Sequence, residues 1–508
     1  MKKTIRRVGA IVLSAFILTC STVDTTASEK RSYSYNYDYW GDVQDSPDLY
    51  SVCKVLTSSD FGLDKPLRSP QGLYVNGESV FICDSGNNRI IELKRTSRES
   101  LELVKIIDSV KGDIDKKEFS GPTDIAISED GNIFIADKGN ARILKVDSDY
   151  NFISQYLKPV DNTLDPSIPF APNKIVVDTA ERVYCIATGI NKGLIKYETD
   201  GSFSGFVGAT PASFDFTTYI WKKFATQEQL AKMVAFVPTE YDNIYMDYEG
   251  FIYACTGSVS IDDLKAGKAD AVRKLNLLGN DILVENGVYY KDAFPVYGDL
   301  YMGDGGGYKG ASYFSDVTCF DNDIYVCLDK NRGRLFSYDD QGNMVFCCGG
   351  NGNMDGYFRK PVGIDHMGYD LFVLDELDCS ITIFTQTDFG ALVFKAMDLF
   401  DEGEYEASQA AWEDIIKDNG NYDLAYIGIG RAHLRQKDYK TAMEYFELKY
   451  DDENYSKAYR QYRKIWVEEN IVAIVIVLLL LFLVPMGIGR YKSIKREFDT
   501  ADIFKVQK

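Results

Sequence analysis

Aligning six copies of a repeated strand unit brings Gly72, Asp124, Lys174, Asn243, Asp316 and Gly363 to one position. Asp124, Asn243 and Asp316 on a common ring offer the hard oxygen ligands that a divalent cation such as Ca²⁺ takes. Lys174 stands among them and opposes a metal, so a hydrated polar lining is the competing expectation. No paired base is identifiable beside them. The two histidines, His366 and His433, lie 67 residues apart, which leaves little for Ser-His-Asp or histidine–metal chemistry. Ten cysteines occur without a CxxC, so neither a zinc ribbon nor a thioredoxin-like motif is supported.

The elements that position this ring fill residues 70 to 390. SPQGLYVNGESVFICDSGNNRIIEL at 69–93 returns as GPTDIAISEDGNIFIADKGNARILKV at 121–146, and four weaker copies follow. Each has an apolar strand, a turn with Asp or Gly, a second strand and a third. Such spacing predicts antiparallel meanders, and repetition at this period predicts a β-propeller. Six copies imply six blades over residues 48–391, with residues 48–62 supplying the outer strand of the sixth and removing an exposed edge. Cys83, Cys185, Cys255 and Cys327 recur at what reads as one small, buried strand position, so most thiols are expected free. The adjacent Cys347 and Cys348 are the one pair suited to a redox test.

The copies resemble the NHL-repeat family of β-propellers. The likeness rests on P-x-(G/D), on a (V/I)-x-D strand ending and on an Arg five residues beyond that Asp. Asp84 with Arg89, Asp137 with Arg142 and Asp329 with Arg334 keep the spacing. Asp375 is followed at that distance by Ser380, and the third and fourth copies replace the Asp. These pairs are expected to satisfy each other inside a blade rather than to act on a ligand. A helical insertion at about 218–236 followed by FVPTEY resembles a subset of membrane-anchored bacterial NHL proteins, which implies an association with sugar uptake. A second insertion, about 257–312, holds GDGGGYKG but lacks the G-x4-G-K-(S/T) order of a phosphate loop. Metal-dependent lactonases of similar propeller shape use Glu, Asn and Asp on such a ring. That similarity implies a membrane-tethered, metal-dependent hydrolase as the alternative function, with Asp124, Asn243 and Asp316 as its metal residues.

After about Leu392 the apolar period changes from 2 to 3.6. Residues 404–426 and 438–459 align at an offset of 33–34, pairing Tyr405 with Tyr439, Trp412 with Phe446 and Tyr426 with Tyr459. The region 392–468 resembles tetratricopeptide repeats, with Ala407 and Ala442 expected where helices pack closely. His433 reads as a packing residue there. RSYSYNYDYW lies in a Tyr-rich linker, 28–47, that either stacks on glycan or packs on the propeller.

Four cations precede a short apolar run at the N-terminus, which predicts an export signal over 1–27. Thr19-Cys20 only loosely matches a lipoprotein box. Ile471–Ile488 carries no charge on any face and predicts a transmembrane helix. Glu468 and Glu469 precede it, and Arg490, Lys492, Lys495 and Arg496 follow. By the positive-inside rule, the tail 489–508 is cytoplasmic and the bulk of the chain is extracytoplasmic. With 56 Lys and Arg against 76 Asp and Glu, the net charge is −20, which excludes nucleic acid as a default partner. The fold class expected is mainly β: a six-bladed propeller, a small α-helical region and one membrane helix. The function expected is a cell-membrane binding or scaffold protein for a protein or carbohydrate partner. It is expected to need no cofactor, with Asp124, Lys174, Asn243 and Asp316 at the tunnel mouth.

Overall fold

The computed structural model describes residues 33–161, 164, 166–208, 241–256, 260, 264, 270–284, 297–299 and 310–505. The export signal, the helical insertion at 218–236 and all of GDGGGYKG except Gly310 lie outside them. Contacts divide the chain into two units, one ending at Leu392 and the other beginning at Val393.

Alternating apolar residues in short runs, broken by Asp–Gly and Asn turns, fold the described part of the first unit into six blade sheets and one two-stranded sheet. All are antiparallel except where Gly350 and Asn351 pair in parallel with Tyr357 and Phe358. The innermost strands are Gly72–Asn76, Pro122–Ile127, Pro172–Val177, Tyr241–Met246, Phe314–Cys319 and Pro361–Met367. These begin blades 1 to 6. Each packs beside the next, and the sixth packs beside the first, which closes the ring of a six-bladed β-propeller. Tyr50–Thr57 pairs with Ser380–Gln386 as the outer strand of blade 6, so the earliest propeller strand seals the last sheet. Apolar clusters fill the spaces between blades, as where Ile90, Ile135 and Leu144 join blades 1 and 2. Each such side chain contributes about 1.5–3 kcal/mol by leaving water.

Two expectations are corrected by the register. Val272–Leu275, assigned from sequence to the insertion at 257–312, pairs with Ile252–Thr256 as the third strand of blade 4. The four cysteines do not share one position. Cys83 and Cys255 stand opposite the ring residues Gly72 and Asn243, whereas Cys185 and Cys327 come one residue earlier and face the other side of their sheets. Cys255 and Cys327 therefore meet in the cluster between blades 4 and 5. All nine described cysteines are free. In the Tyr-rich segment, Tyr35–Tyr37 pairs with Val43–Asp45 and is buried on the propeller. Tyr37 Oη donates to Asp299 at 2.9 Å, and Arg334 lies 4.9 Å over the Tyr35 ring.

The second unit is helical. Its helices are α1 (Asp388–Asp401, straddling the boundary), α2 (Tyr405–Asp418), α3 (Asp423–Arg435), α4 (Tyr439–Leu448) and α5 (Asp452–Lys505). The 34-residue offset has a packing cause: Trp412 and Phe446 are buried against glycines of α3. A Cβ on Gly428 would come 2.4 Å from the Trp412 indole nitrogen, and one on Gly430 would come 2.7 Å from the Phe446 ring. Ala407 is exposed. The residue equivalent to buried Ala442 is Ser408, whose hydroxyl donates to the Ala396 carbonyl at 2.7 Å. His433 stacks on Tyr445 and lies 3.4 Å from Asp438, which caps α4 through the Thr441 amide.

The apolar run 471–488 is not a separate helix but the middle of the 54-residue α5, which also encloses Pro485. At about 1.5 Å per residue α5 extends roughly 80 Å. By length and composition it is able to cross a membrane.

Candidate functional site

The ring position is set by a shared irregularity. In five blades the register slips just before it: between Pro122 and Asp124, Pro172 and Lys174, Tyr241 and Asn243, Phe314 and Asp316, and Pro361 and Gly363. In blades 2, 3 and 6 the slip follows a proline, which has no N–H for the ladder, and a bulge absorbs the missing bond; in blades 4 and 5 it follows Tyr241 and Phe314. Every ring residue then faces the residue preceding the strand-ending position of its own blade, so the six copies are structurally equivalent.

Asp124, Asn243 and Asp316 bridge to the following blade, whereas Lys174 reaches back. Asp124 Oδ2 accepts the Ile175 amide at 2.8 Å, and Asp316 Oδ2 accepts the Ile364 amide at 2.8 Å. Asn243 Nδ2 donates to the Ser315 carbonyl at 3.1 Å. Lys174 Nζ stands 3.8 Å from Asp124 Oδ1 and 3.5 Å from the Gln71 carbonyl. All four polar ring residues are buried, which places them on a floor rather than at a mouth. The other arc of the ring is closed tightly by glycine: a Cβ on Gly72 would lie 2.5 Å from the Thr123 carbonyl oxygen.

Two residues further along each inner strand, a second layer comprises Tyr74, Ala126, Val176, Tyr245, Thr318 and Asp365. Its residues are small in blades 2 and 3 and large or polar elsewhere. Against the small side lies a cavity of ≈ 340 Å³, lined by the inner strands of blades 2 to 4 and, on its far wall, by Tyr74, Asp316 and Asp365. Its outer rim carries Glu129, Thr179 and Glu249, with Tyr248 59% exposed. Among the described residues, no group of three His, Cys, Asp or Glu side chains is arranged to hold a metal ion.

Asp365 is a site residue that the single-position alignment missed. Its Oδ2 accepts the Val75 amide at 2.6 Å and its Oδ1 accepts the His366 amide at 2.8 Å. Thr318 Oγ1 lies 3.3 Å from Asp365 Oδ1 and 2.7 Å from His366 Nδ1. Burial pushes the Asp365 carboxyl up to about 7, and nearby Asp316 adds to that rise. Burial likewise raises Asp316 to about 7 against the opposing pull of Lys174. Burial works to lower Lys174, but Asp124 and Asp316 hold it above its ordinary value. His366 is pushed down by burial to about 4 and is neutral at physiological pH.

The strand-ending aspartates form a separate set. Arg89 Nε donates to Asp84 at 2.7 Å, and Arg142 Nε to Asp137 at 2.8 Å, with each pair buried. The same arginines reach the carbonyls of Lys65 and Lys116, tying the blade to its incoming loop. Asp329 and Arg334 do not form the pair expected. Asp329 is held by Arg332 at 3.4 Å, and Arg334 turns to Tyr35 and to Cys347 Sγ at 3.4 Å.

Residues 119–146, the first three strands of blade 2, match the NHL repeat. The chain carries an NHL repeat. It is the copy that contains both the Asp137–Arg142 pair and the ring residue Asp124. A probable peptidyl-alpha-hydroxyglycine alpha-amidating lyase of Caenorhabditis elegans is 25% identical over 136 residues, covering 24% of this chain. The chain spans 38% of that relative's length. Virginiamycin B lyase from Staphylococcus aureus is 12% identical over 66% of this chain and 100% of its own, with a TM-score of 0.38. A protein of unknown function from Bacteroides thetaiotaomicron is 9% identical over 66% of this chain and 75% of its own, with a TM-score of 0.41.

Proposed function

We propose that this chain is a membrane-anchored binding protein whose NHL-type propeller, held outside the cytoplasm by α5, engages a partner through the open half of its central channel. The observation that carries this reading is the ≈ 340 Å³ cavity with an exposed rim and buried hydrogen-bonding groups below it. Ligand sites are concave, of roughly 300–1,000 Å³, with a few fixed polar groups. Carbohydrate is the favoured partner class, because tyrosine rings and carboxylates suit its C–H faces and hydroxyls; a protein segment is the other. A place beside a sugar-uptake system belongs to the same proposal. The extracytoplasmic orientation is supported by the cations that follow the apolar run.

A photo-crosslinking residue at Tyr248 tests this reading in intact membranes. Adduct formation at Tyr248, and none at the fully exposed control position Val160, is the expected result. Equal labelling at both positions, or none at Tyr248, overturns it.

A second reading is enzymatic. The carboxyls of Asp316 and Asp365 titrate near neutrality, and clefts with such groups are candidate acid–base sites. The name of the amidating-lyase relative points the same way for a part of the chain. If Ca²⁺ takes part, Asp124, Asn243 and Asp316 are the residues to hold it, and Lys174 competes with it for Asp124. Loss of a Ca²⁺-dependent thermal shift in Asp124→Ala would be its signature.

A further inference from the structure

Most buried aspartates of the propeller have a cation beside them. Asp84 has Arg89, Asp124 has Lys174, Asp137 has Arg142, Asp178 has Arg182, Asp247 has Lys274 and Asp329 has Arg332. Asp365, like Asp316 and Asp375, does not: among the described residues, no lysine or arginine reaches ion-pair distance of it, and its neighbour His366, 3.7 Å away, is neutral. It is 6% exposed and accepts two backbone amides, yet its carboxyl forms part of the cavity wall. Two tyrosines of the second layer, Tyr74 and Tyr245, stand close enough to feel its charge. Both phenols are already turned to backbone carbonyls, of Ile127 and Cys319, at 3.3 and 3.4 Å. Lys174, on the floor, lies 3.8 Å from Asp124 and is drawn also by Asp316, and it forms no ion pair with Asp365.

An uncompensated carboxylate beside a cavity is costly unless a proton or a cation from outside neutralises it. A carboxylate flanked by aromatic rings matches the requirements of an alkylammonium group, which gains both an ion pair and contact with ring faces. A bare divalent ion gains less, since it requires more oxygen ligands than the wall presents. We propose that the cavity takes a ligand bearing a primary ammonium group, seated against Asp365 with Asp316 behind it. This inference rests on the cavity being the binding site.

Such an ammonium comes from two sources, an amino sugar or the N-terminus of a peptide, and two matched probe pairs separate them. The full chain in detergent is titrated calorimetrically with glucosamine and glucose, then with alanylalanine and N-acetyl-alanylalanine. One charged member is expected to bind about tenfold or more tightly than its neutral partner, a typical effect of a charged hydrogen bond. That preference is expected to vanish in Asp365→Asn, which keeps the shape and one acceptor. Should that variant fail to fold, Ala126→Phe, which fills the small side of the cavity, is expected to abolish binding of the charged probe. Equal binding of charged and neutral probes, lost in Ala126→Phe, overturns the ammonium inference and leaves the cavity as the site. Charged-probe binding untouched by Ala126→Phe overturns the cavity itself. No binding by either charged probe overturns the inference, while the Tyr248 cross-link still decides the broader reading.

Discussion

The corners of the blades and the wall of the channel use aspartate in opposite ways. At the corners, Asp84 and Asp137 end a strand and meet an arginine five residues later, so each charge is neutralised by its own blade. In the channel, Asp316 and Asp365 lean towards the next blade and receive only backbone amides and a hydroxyl. One arrangement is local and closed. The other crosses blades and leaves part of the carboxylate's demand open to whatever enters the cavity. The corner pair is kept in blades 1 and 2 and varied or lost in the others, while the second layer of the axis mixes tyrosine, small apolar residues, threonine and aspartate.

Removing a corner acid tests the closed arrangement hardest. Asp137→Ala leaves Arg142 buried without its partner and is expected to cost about 3–5 kcal/mol in denaturant unfolding. Asp365→Asn, which leaves no cation stranded, is expected to cost far less. Blade 5 sharpens the same point. Arg332→Ala is expected to cost about 3 kcal/mol, because Arg332 holds Asp329, Asp299 and the Gly310 carbonyl. Arg334→Ala should cost less than Arg332→Ala, because it leaves Asp329 with its cation. The reverse order would restore the simple five-residue pattern.

The two halves of the channel are compared by enlarging one residue in each. Thr318→Phe, in the filled half, is expected to cost about 2–3 kcal/mol by overpacking. Ala126→Phe has the cavity to enter and should change stability by about 1 kcal/mol or less.

The pH dependence of stability tests the channel carboxyls directly. Asp316 and Asp365 titrate near 7 in the folded chain but near 3.8 when unfolded, so the folded state binds more protons between those values. Their contribution to stability therefore falls as pH rises from about 4 to 7. His366, held near 4 against an ordinary 6.5, does the reverse: it contributes stability above 6.5 that is lost as pH falls towards 4. One acid and the imidazole nearly cancel, leaving the second acid. Relative to the parent chain, Asp365→Asn should flatten the curve over this window and His366→Gln should steepen its decline. Parallel curves for all three would separate these groups from the folding equilibrium.

The fold was legible because its signals are local. Turn residues, alternation and the 34-residue helix offset all fall within a single window of chain. The ring position was legible too, since prolines ahead of Asp124, Lys174 and Gly363 mark the slip in register. Asp329 misled because its neighbourhood offers two arginines. Gly333, at φ +60°, brings Arg332 back towards the acid, and Tyr35, nearly 300 residues away in the chain, captures Arg334. Asp365 was missed for a related reason. Its surroundings come from Val75, Thr318 and Tyr245, and no stretch of sequence contains them together. In the helical unit, the 34-residue offset that pairs Trp412 with Phe446 already places Ser408, not Ala407, opposite Ala442, and the bond to the Ala396 carbonyl agrees.

The strand at Tyr50–Thr57 is synthesised before any blade, yet its sheet is not complete until Ser380–Gln386 has emerged. Folding of the propeller is therefore ordered from outside the ring: five blades can form as the chain appears, while this early segment waits without a partner. Closure requires joining residues more than 300 positions apart, a slow, entropically demanding step. The apolar stretch of α5 follows the closing strand by fewer than ninety residues. If α5 inserts into a membrane as it emerges, insertion and ring closure fall close together in time, and a nascent chain stalled before residue 380 would leave Tyr50–Thr57 as an unpaired edge.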